Sequence, residues 1–214
     1  MSNSLSTNSL IDLDYLNLQP SSNICNASPE DLVEISVNSY GCEIADNGAL
    51  VVMTGRFTGR SPKDRFIVED EITKASVDWN SINQPIDQKY YSALKQKMIS
   101  YLNGKDIFTR DAFAGADKEY RLAVRVITEY PWSNMFAYNM FLRPTADELL
   151  EFTPEWHVIC APGFEANPAV DGTKDSNFSI INFAEKTILV GGSAYTGEIK
   201  KGIFSVLNYT LPEY

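Results

Sequence analysis

The stretch TILVGGSAYTGEIKKG, residues 187–202, carries the clearest structural information in this 214-residue sequence. Residues 187–190 form a short β-branched and aliphatic run that predicts a buried strand. The glycine pair that follows predicts a tight loop, which carries Tyr195, and two adjacent lysines, Lys200 and Lys201, lie at a predicted helix start. This order predicts a strand, a glycine-rich loop and a helix.

The lysine pair has two interpretations. Adjacent helix residues point about 100° apart, so Lys200 and Lys201 cannot face one ligand equally. One of them could lie beside an anion or a metal ion, where desolvation would lower its pKa and leave a neutral amine as a ligand. The alternative is two solvated lysines at the start of a helix, and spacing alone favours it.

A second glycine-rich stretch, TGRFTGRSPKDR, covers residues 54–65 and holds three arginines, among them Arg60. A predicted strand leads into it, so backbone N–H groups and guanidinium forks could approach an anion closely. Arginine suits bidentate capture of carboxylate or phosphate. The spacing is not that of a Walker A loop, because Arg60 stands where that motif has lysine. The pattern leaves two interpretations equally open: an anion clamp, or a polar turn whose arginines pair with surface acids.

The remaining elements predict an α/β (mixed α+β) fold, a single domain with a mixed sheet flanked by helices. Residues 1–28 are rich in Ser and Asn and predict a loosely held arm, with a short helical turn around residues 10–16. Domain 29–214 would begin with a capped helix over residues 29–39. Residues 49–55 predict a buried strand and residues 66–70 a second one. Helices are predicted over residues 89–102 and 134–141, and a capping box at Thr145 predicts another short helix.

Composition narrows the function classes. A net charge of −10 argues against general binding to nucleic acid or a membrane surface. No apolar run is long enough to cross a bilayer, and the N-terminus lacks the pattern of a secretory signal. The three cysteines are predicted to be reduced, packed thiols, which indicates a cytoplasmic location. The single histidine, His157, excludes a multi-histidine metal site made by this chain alone.

Four segments, in order along the chain, resemble the ATP-dependent phosphoenolpyruvate carboxykinases. The resemblance extends over roughly residues 47–212, and YTGEIKKG is specific to that family. The segments are TGRFTGRSPKDRFIVED (54–70), DAFAGADKEYRLAVRVITE (111–129), NMFLRPTADEL (139–149) and INFAEKTILVGGSAYTGEIKKGIFSVLNYTLP (181–212).

The resemblance implies a role for each of three residues. Arg60 would hold the substrate carboxylate and help to position CO2, and Tyr195 would lie at the pocket for CO2 and phosphoenolpyruvate. Lys201 would coordinate catalytic Mn2+ as a neutral amine, while Lys200 would be a neighbouring structural or phosphate-facing charge. The implied reaction converts oxaloacetate and ATP to phosphoenolpyruvate, CO2 and ADP, with Mg2+ accompanying ATP.

Other family features have no counterpart in this sequence. The P-loop, the metal-binding histidine, the paired aspartates and a further substrate arginine would all lie downstream of residue 212. His157 does not align with the metal histidine, and Asp111 and Asp117 are interpreted as turn or cap residues. The chain is therefore expected to be the substrate-binding N-terminal domain, without the C-terminal nucleotide-binding domain, inactive alone and without a tightly bound cofactor. The alternative is a stand-alone anion-binding or regulatory module.

Overall fold

A mixed sheet of eight strands forms the centre of the protein, as seen in a computed structural model that describes residues 11–213. All strands of the described residues, including β2 and β3, which lie outside this sheet, are β1 (Ser22–Cys25), β2 (Glu43–Ile44), β3 (Leu50–Val51), β4 (Arg65–Glu69), β5 (Gln84–Asp87), β6 (Asp106–Ala114), β7 (Leu122–Thr128), β8 (Trp156–Ala161), β9 (Phe178–Asn182) and β10 (Thr187–Gly191). The helices are α1 (Pro29–Tyr40), α2 (Gln88–Leu102), α3 (Pro131–Met140), α4 (Ala146–Leu150), α5 (Pro168–Asp171) and α6 (Gly197–Thr210). The expected α/β class, a mixed sheet flanked by helices, is confirmed.

The strand order in the sheet is β1-β6-β7-β8-β10-β9-β4-β5. Strands β6 and β7 pair antiparallel, as do β9 and β10, and the other neighbours are parallel. Strands β2 and β3 form a separate two-stranded hairpin. Within residues 11–213, none of the helices has the length and apolar character needed to span a bilayer.

Alternate residues of the central strands build two cores on opposite faces of the sheet. In β10, Leu189 belongs to one core, while Ile188 and Val190 belong to the other. Helix α2 packs on the first face through Tyr91, Leu94, Met98 and Leu102. Helix α6 packs on the second face through Ile199, Ile203 and Val206. Because both faces are covered, β9 and β10 are buried along their whole length.

The predicted helix ends are confirmed where the sequence carries caps. Helix α1 begins after Ser28, whose side chain accepts a hydrogen bond from the Asp31 amide, and it ends at Gly41 in the left-handed conformation. Thr145 and Glu148 form the reciprocal capping box at the start of α4. Helix α3 begins at Pro131, three residues earlier than predicted, because proline is well suited to a first helical position.

Residues 11–28 are part of the folded domain, which corrects the prediction of a loosely held arm; residues 1–10 lie outside the described residues. Leu13, Leu16 and Leu18 are buried in the core beneath α2. The predicted helical turn is a short 3-10 helix, Asp14–Leu16. Strand β1 then adds to the sheet beside β6. The prediction failed because it was based on the polar composition of this segment and not on the three leucines that anchor it in the core.

The prediction of a buried strand over residues 49–55 is wrong. Only Leu50–Val51 is a strand, and it pairs with the equally short β2 rather than with the central sheet. Val51 is exposed, and Met53 is 85% exposed. The apolar run is therefore on a surface hairpin that leads into the loop of Arg60.

Candidate functional site

Two loops meet at one edge of the sheet. Strand β9 lies between β4 and β10, parallel to the first and antiparallel to the second. As a result, the start of β4 at Arg65 and the end of β10 at Gly191 face neighbouring residues of β9, Ser179 and Phe178. The loop that precedes β4 carries Arg60, and the loop that follows β10 carries Tyr195. The topology therefore brings two glycine-rich stretches, far apart in sequence, to the same place.

Gly192 allows the loop after β10 to pack closely against the backbone of Ser176 and Asn177. Its φ is +70°, a conformation that disfavours other residues. A Cβ at this position would lie 2.5 Å from the Ser176 carbonyl oxygen and 2.7 Å from the Asn177 Cα. The backbone approach explains why this position of the loop is a glycine.

Arg60 differs from the other two arginines of its segment. Arg56 forms an exposed ion pair with Asp175, and Arg65 forms a buried one with Glu198. The side chain of Arg60 is exposed and makes no hydrogen bond or ion pair within residues 11–213. The interpretation of the segment as a polar turn with paired arginines thus applies to two of the three and leaves Arg60 available to a ligand.

Tyr195 is half-buried, and its ring lies over the first residue of α6. A Cβ on Gly197 would lie 2.5 Å from the Tyr195 Cε1 and 3.0 Å from its Oη. Only a residue without a side chain permits this ring position. The Tyr195 amide also donates to the Ser193 Oγ at 3.2 Å, which shapes the loop just before the ring.

The two lysines differ in their surroundings, as the helical spacing predicts. Lys200 is exposed, whereas Lys201 is half-buried with its Nζ 4.7 Å from the centre of the Phe204 ring. Neither side chain forms an ion pair within the described part of the chain. Both lysines therefore remain free of carboxylate partners, and Lys201 is the one held against the protein.

Arg60, Tyr195 and Lys201, the three residues expected at the site, line a single cavity of about 680 Å³. Its lining is Arg60, Phe136, Met140, Tyr195, Thr196, Gly197, Lys200, Lys201 and Phe204. Among residues 11–213, the charged members of this lining are one arginine and two lysines, with no carboxylate. A chain with a net charge of −10 has thus gathered three cations around one opening. Such a cavity attracts small anions.

A neighbouring cavity of about 400 Å³ has a different character. It shares the loop after β10 through Gly192 and Ala194, and an aromatic cluster of Tyr40, Tyr130 and Trp132 lines it. Its arginine, Arg56, is already paired with Asp175, and two glutamates, Glu43 and Glu165, also line it. The larger cavity is therefore the better candidate for binding an anion.

Sequence reasoning missed Glu198, which joins the two loops. Its carboxylate accepts hydrogen bonds from the Ser61 amide at 3.1 Å and from the Arg65 Nε and Nη2 at 2.8 and 2.9 Å. Ser61 directly follows Arg60, and Glu198 lies three residues before Lys201. An acid in the first turn of a helix is common for electrostatic reasons alone, so the sequence held no signal of this contact.

His157 and Asp111 lie away from the cavity. His157 is in β8, and its Nε2 is 2.7 Å from the Tyr15 Oη. Burial, together with Arg125 and Lys95, lowers the pKa of His157 to about 4. The prediction that Asp111 is a turn or cap residue is wrong, because Asp111 lies inside β6 and forms an ion pair with Arg125 at 2.7 Å. Asp117 does form the predicted turn, accepting from the Glu119 amide.

The donor set for a metal ion is sparse. Among residues 11–213, no three His, Cys, Asp or Glu side chains come together in a group that could hold a metal. In the cavity, the side-chain donors are the amines of Lys200 and Lys201 and the hydroxyls of Tyr195 and Thr196. A divalent cation at this cavity would take at most a minor part of its ligands from this chain.

Comparison with known proteins adds to this geometry. A family model described as phosphoenolpyruvate carboxykinase matches residues 21–214. Proteins named phosphoenolpyruvate carboxykinase (ATP) are similar to this chain in Christiangramia forsetii, with 57% identity over 188 residues, and in Flavobacterium johnsoniae, with 52% over 187. A third, from Moorella thermoacetica, is 47% identical over 182 residues. These alignments cover 85–87% of this chain but 35% of each relative, so the chain spans about a third of their length.

Proposed function

Because the chain belongs to the ATP-dependent phosphoenolpyruvate carboxykinase family, we propose that it supplies the substrate-binding side of that reaction. In this reaction oxaloacetate and ATP are converted to phosphoenolpyruvate, CO2 and ADP, a step of gluconeogenesis. The observation that carries the proposal is the cavity lined by Arg60, Lys200 and Lys201, none of which has a carboxylate partner in the part of the chain that the structure describes. Oxaloacetate and phosphoenolpyruvate are small polyanions, the ligands that such a cavity favours.

Arg60 and Tyr195 would bind the carbon skeleton. An unpaired guanidinium offers two parallel N–H donors to a carboxylate, and Arg60 is the one arginine of its segment that is free to use them. Tyr195 would place its hydroxyl at the departing CO2, because its ring is held over Gly197 beside the same opening.

Lys201 would be this chain's ligand to Mn2+. Its half-buried position beside Phe204 favours this role over the exposed Lys200. The cation's remaining ligands would come from substrate, water and residues outside this chain. When bound, a divalent cation supplies Lewis-acid stabilisation to a developing enolate oxygen.

The cations of the cavity suit the charge that the reaction moves. Loss of CO2 from oxaloacetate leaves an enolate, whose oxygen bonds to the γ-phosphorus of ATP while the bond from that phosphorus to ADP breaks and ADP leaves with the negative charge. Positive groups beside the reacting oxygens stabilise such charge as it develops. Arg60 and Lys200 would act in this way on the substrate oxygens.

The nucleotide would bind outside this chain, so the 214-residue chain alone should show neither turnover nor calorimetric binding of ATP. The gene sequence after Tyr214 separates this proposal from a stand-alone anion-binding or regulatory module. A downstream P-loop supports the enzyme, which we expect in the cytoplasm, and a stop codon supports the module.

The direct test is Arg60→Ala in the complete enzyme, with Arg56→Ala as the matched control. Both arginines belong to the same loop, but Arg56 is paired with Asp175 and does not line the cavity. Arg60→Ala should raise the KM for oxaloacetate severalfold or more, whereas Arg56→Ala should leave it nearly unchanged. An unchanged KM for Arg60→Ala, or equal effects of the two substitutions, would remove Arg60 from the substrate site.

A further inference from the structure

The carboxylate of Glu198 is buried at the junction of the two loops that form the cavity. The Glu198 side chain is 7% exposed and that of Arg65 is 17% exposed. Glu198 accepts three hydrogen bonds, two from the Arg65 guanidinium and one from the Ser61 amide. Because these bonds are charge-assisted and shielded from water, they are stronger than ordinary surface contacts.

The segment that Glu198 holds is a stiff turn. Pro62 restricts the backbone of Ser61 before it, and Pro62–Asp64 forms a 3-10 turn. The Asp64 amide closes this turn by donating to the Ser61 carbonyl at 3.0 Å. Glu198 contacts both ends of it, through the Ser61 amide and the Arg65 side chain. The carboxylate therefore locates residues 61–65 as a unit, and Arg60 is the residue immediately before that unit.

Glu198 also belongs to the helix that carries Lys201. The two residues are three positions apart in α6, so they lie on neighbouring parts of one helix face. Glu198 itself does not line the cavity. Its charge is matched by Arg65, which leaves the three cations of the cavity unopposed.

From these contacts we propose that Glu198 is a positioning residue that sets the separation between Arg60 and Lys201. This inference rests on the proposed function, because it assumes that those two side chains bind one substrate and its metal ion together. Glu198 acts on the substrate only through the Arg60 loop and touches no reacting atom.

The test is a double-mutant cycle on oxaloacetate KM in the complete enzyme. Glu198→Gln keeps the shape of the side chain but removes its charge, which weakens the bonds to Arg65 and Ser61. Loss of a charge-assisted hydrogen bond predicts a KM raised about tenfold. In an Arg60→Ala background the loop no longer carries a side chain that binds the substrate, so adding Glu198→Gln should change the KM for oxaloacetate by less than about twofold. The KM for ATP should not change in either background.

Glu129 provides the matched control. It is a buried carboxylate that also accepts three hydrogen bonds, from the Tyr101 hydroxyl, the Lys105 amine and the Gly163 amide. Glu129→Gln should lower Tm about as much as Glu198→Gln does, with the KM for oxaloacetate unchanged. If it raises KM equally, loss of general stability explains both variants and the positioning role is refuted.

The outcomes separate this inference from the proposed function. If Glu198→Gln raises KM by the same factor with and without Arg60, Glu198 does not act through Arg60, and the inference fails while the proposed function stands. If Arg60→Ala itself leaves KM unchanged, both fail. Should Glu198→Gln not fold, Arg65→Lys takes its place in the same cycle, because it keeps the charge pair and loses only the two-pronged geometry. Equal effects of Arg65→Lys in both backgrounds would likewise overturn the positioning role.

Discussion

Gly197→Ala should leave the protein folded while it impairs the site. The added Cβ would lie 2.5 Å from the Tyr195 Cε1 and 2.9 Å from its Cζ. Carbon atoms in contact are normally about 3.5–4.0 Å apart, so the ring must move by roughly 1 Å. The Tyr195 ring is half-buried, and it can swing towards the cavity that it lines. The clash is therefore relieved by the side chain and not by the backbone.

The two expected effects have different magnitudes. Replacing glycine by alanine at a compatible helix position stabilises a protein by about 0.4–1 kcal/mol, which offsets the small cost of moving the ring. A displacement of about 1 Å in a group that orients substrate can lower the rate by about 100-fold. We expect a fall in kcat/KM of about 10- to 100-fold in the complete enzyme, with the free energy of unfolding changed by less than about 1 kcal/mol.

Gly202→Ala is the control, since it makes the same change in the same helix. Its Cβ would meet the Ile188 side chain in the core at 3.0 Å, and the three atoms nearest to it all belong to Ile188. This variant should leave kcat/KM nearly unchanged. Urea unfolding of the 214-residue chain and steady-state kinetics of the complete enzyme measure the two quantities. An unchanged kcat/KM for Gly197→Ala would refute the role of the Tyr195 ring position, and a loss of more than about 2 kcal/mol of stability would show that the loop had moved instead.

Two further predictions concern the lysine pair and the histidine. Lys201→Ala should lower turnover and weaken the Mn2+ dependence of the complete enzyme more than Lys200→Ala does, because Lys201 is the half-buried lysine. Mn2+ titrations of the two variants measure this difference, and the opposite ranking would reverse the assignment. The pKa of His157 is about 4 in the folded protein because of burial, Arg125 and Lys95, whereas the unfolded chain takes up this proton near pH 6.5. Lowering the pH from 6.5 to 4 should therefore reduce the free energy of unfolding, and His157→Gln should flatten that dependence in urea titrations; an unchanged slope would place the pH sensitivity elsewhere.

Local signals in the sequence were sufficient to predict the helices whose first residues include a capping side chain or a proline. The hydroxyl of Ser28 and the ring of Pro29 marked the start of α1, and the Thr145 capping box marked α4. Such signals involve residues within one turn of each other, so no tertiary information is needed to read them. The apolar run around Val51 misled the same reasoning, because burial depends on which partner strand the chain meets.

The residues of the candidate site likewise include some that the sequence indicated and one that it did not. Arg60, Tyr195 and Lys201 were expected at the site from family resemblance alone, and the topology around β9 brings them to one cavity. Glu198 escaped notice because its partner Arg65 is 133 residues away in the sequence. Local patterns cannot separate an acid that serves a helix dipole from one that clamps a distant loop.

The leucines at positions 13, 16 and 18 bear on how the protein should be trimmed for laboratory use. The family match starts at residue 21, and a recombinant version cut there would lose three side chains that are at most 9% exposed. Losing a single buried leucine side chain typically costs about 2–5 kcal/mol, and a whole domain is commonly stable by only about 5–15 kcal/mol. A cut guided by similarity alone would therefore yield insoluble material, so expression boundaries should follow the interior of the protein.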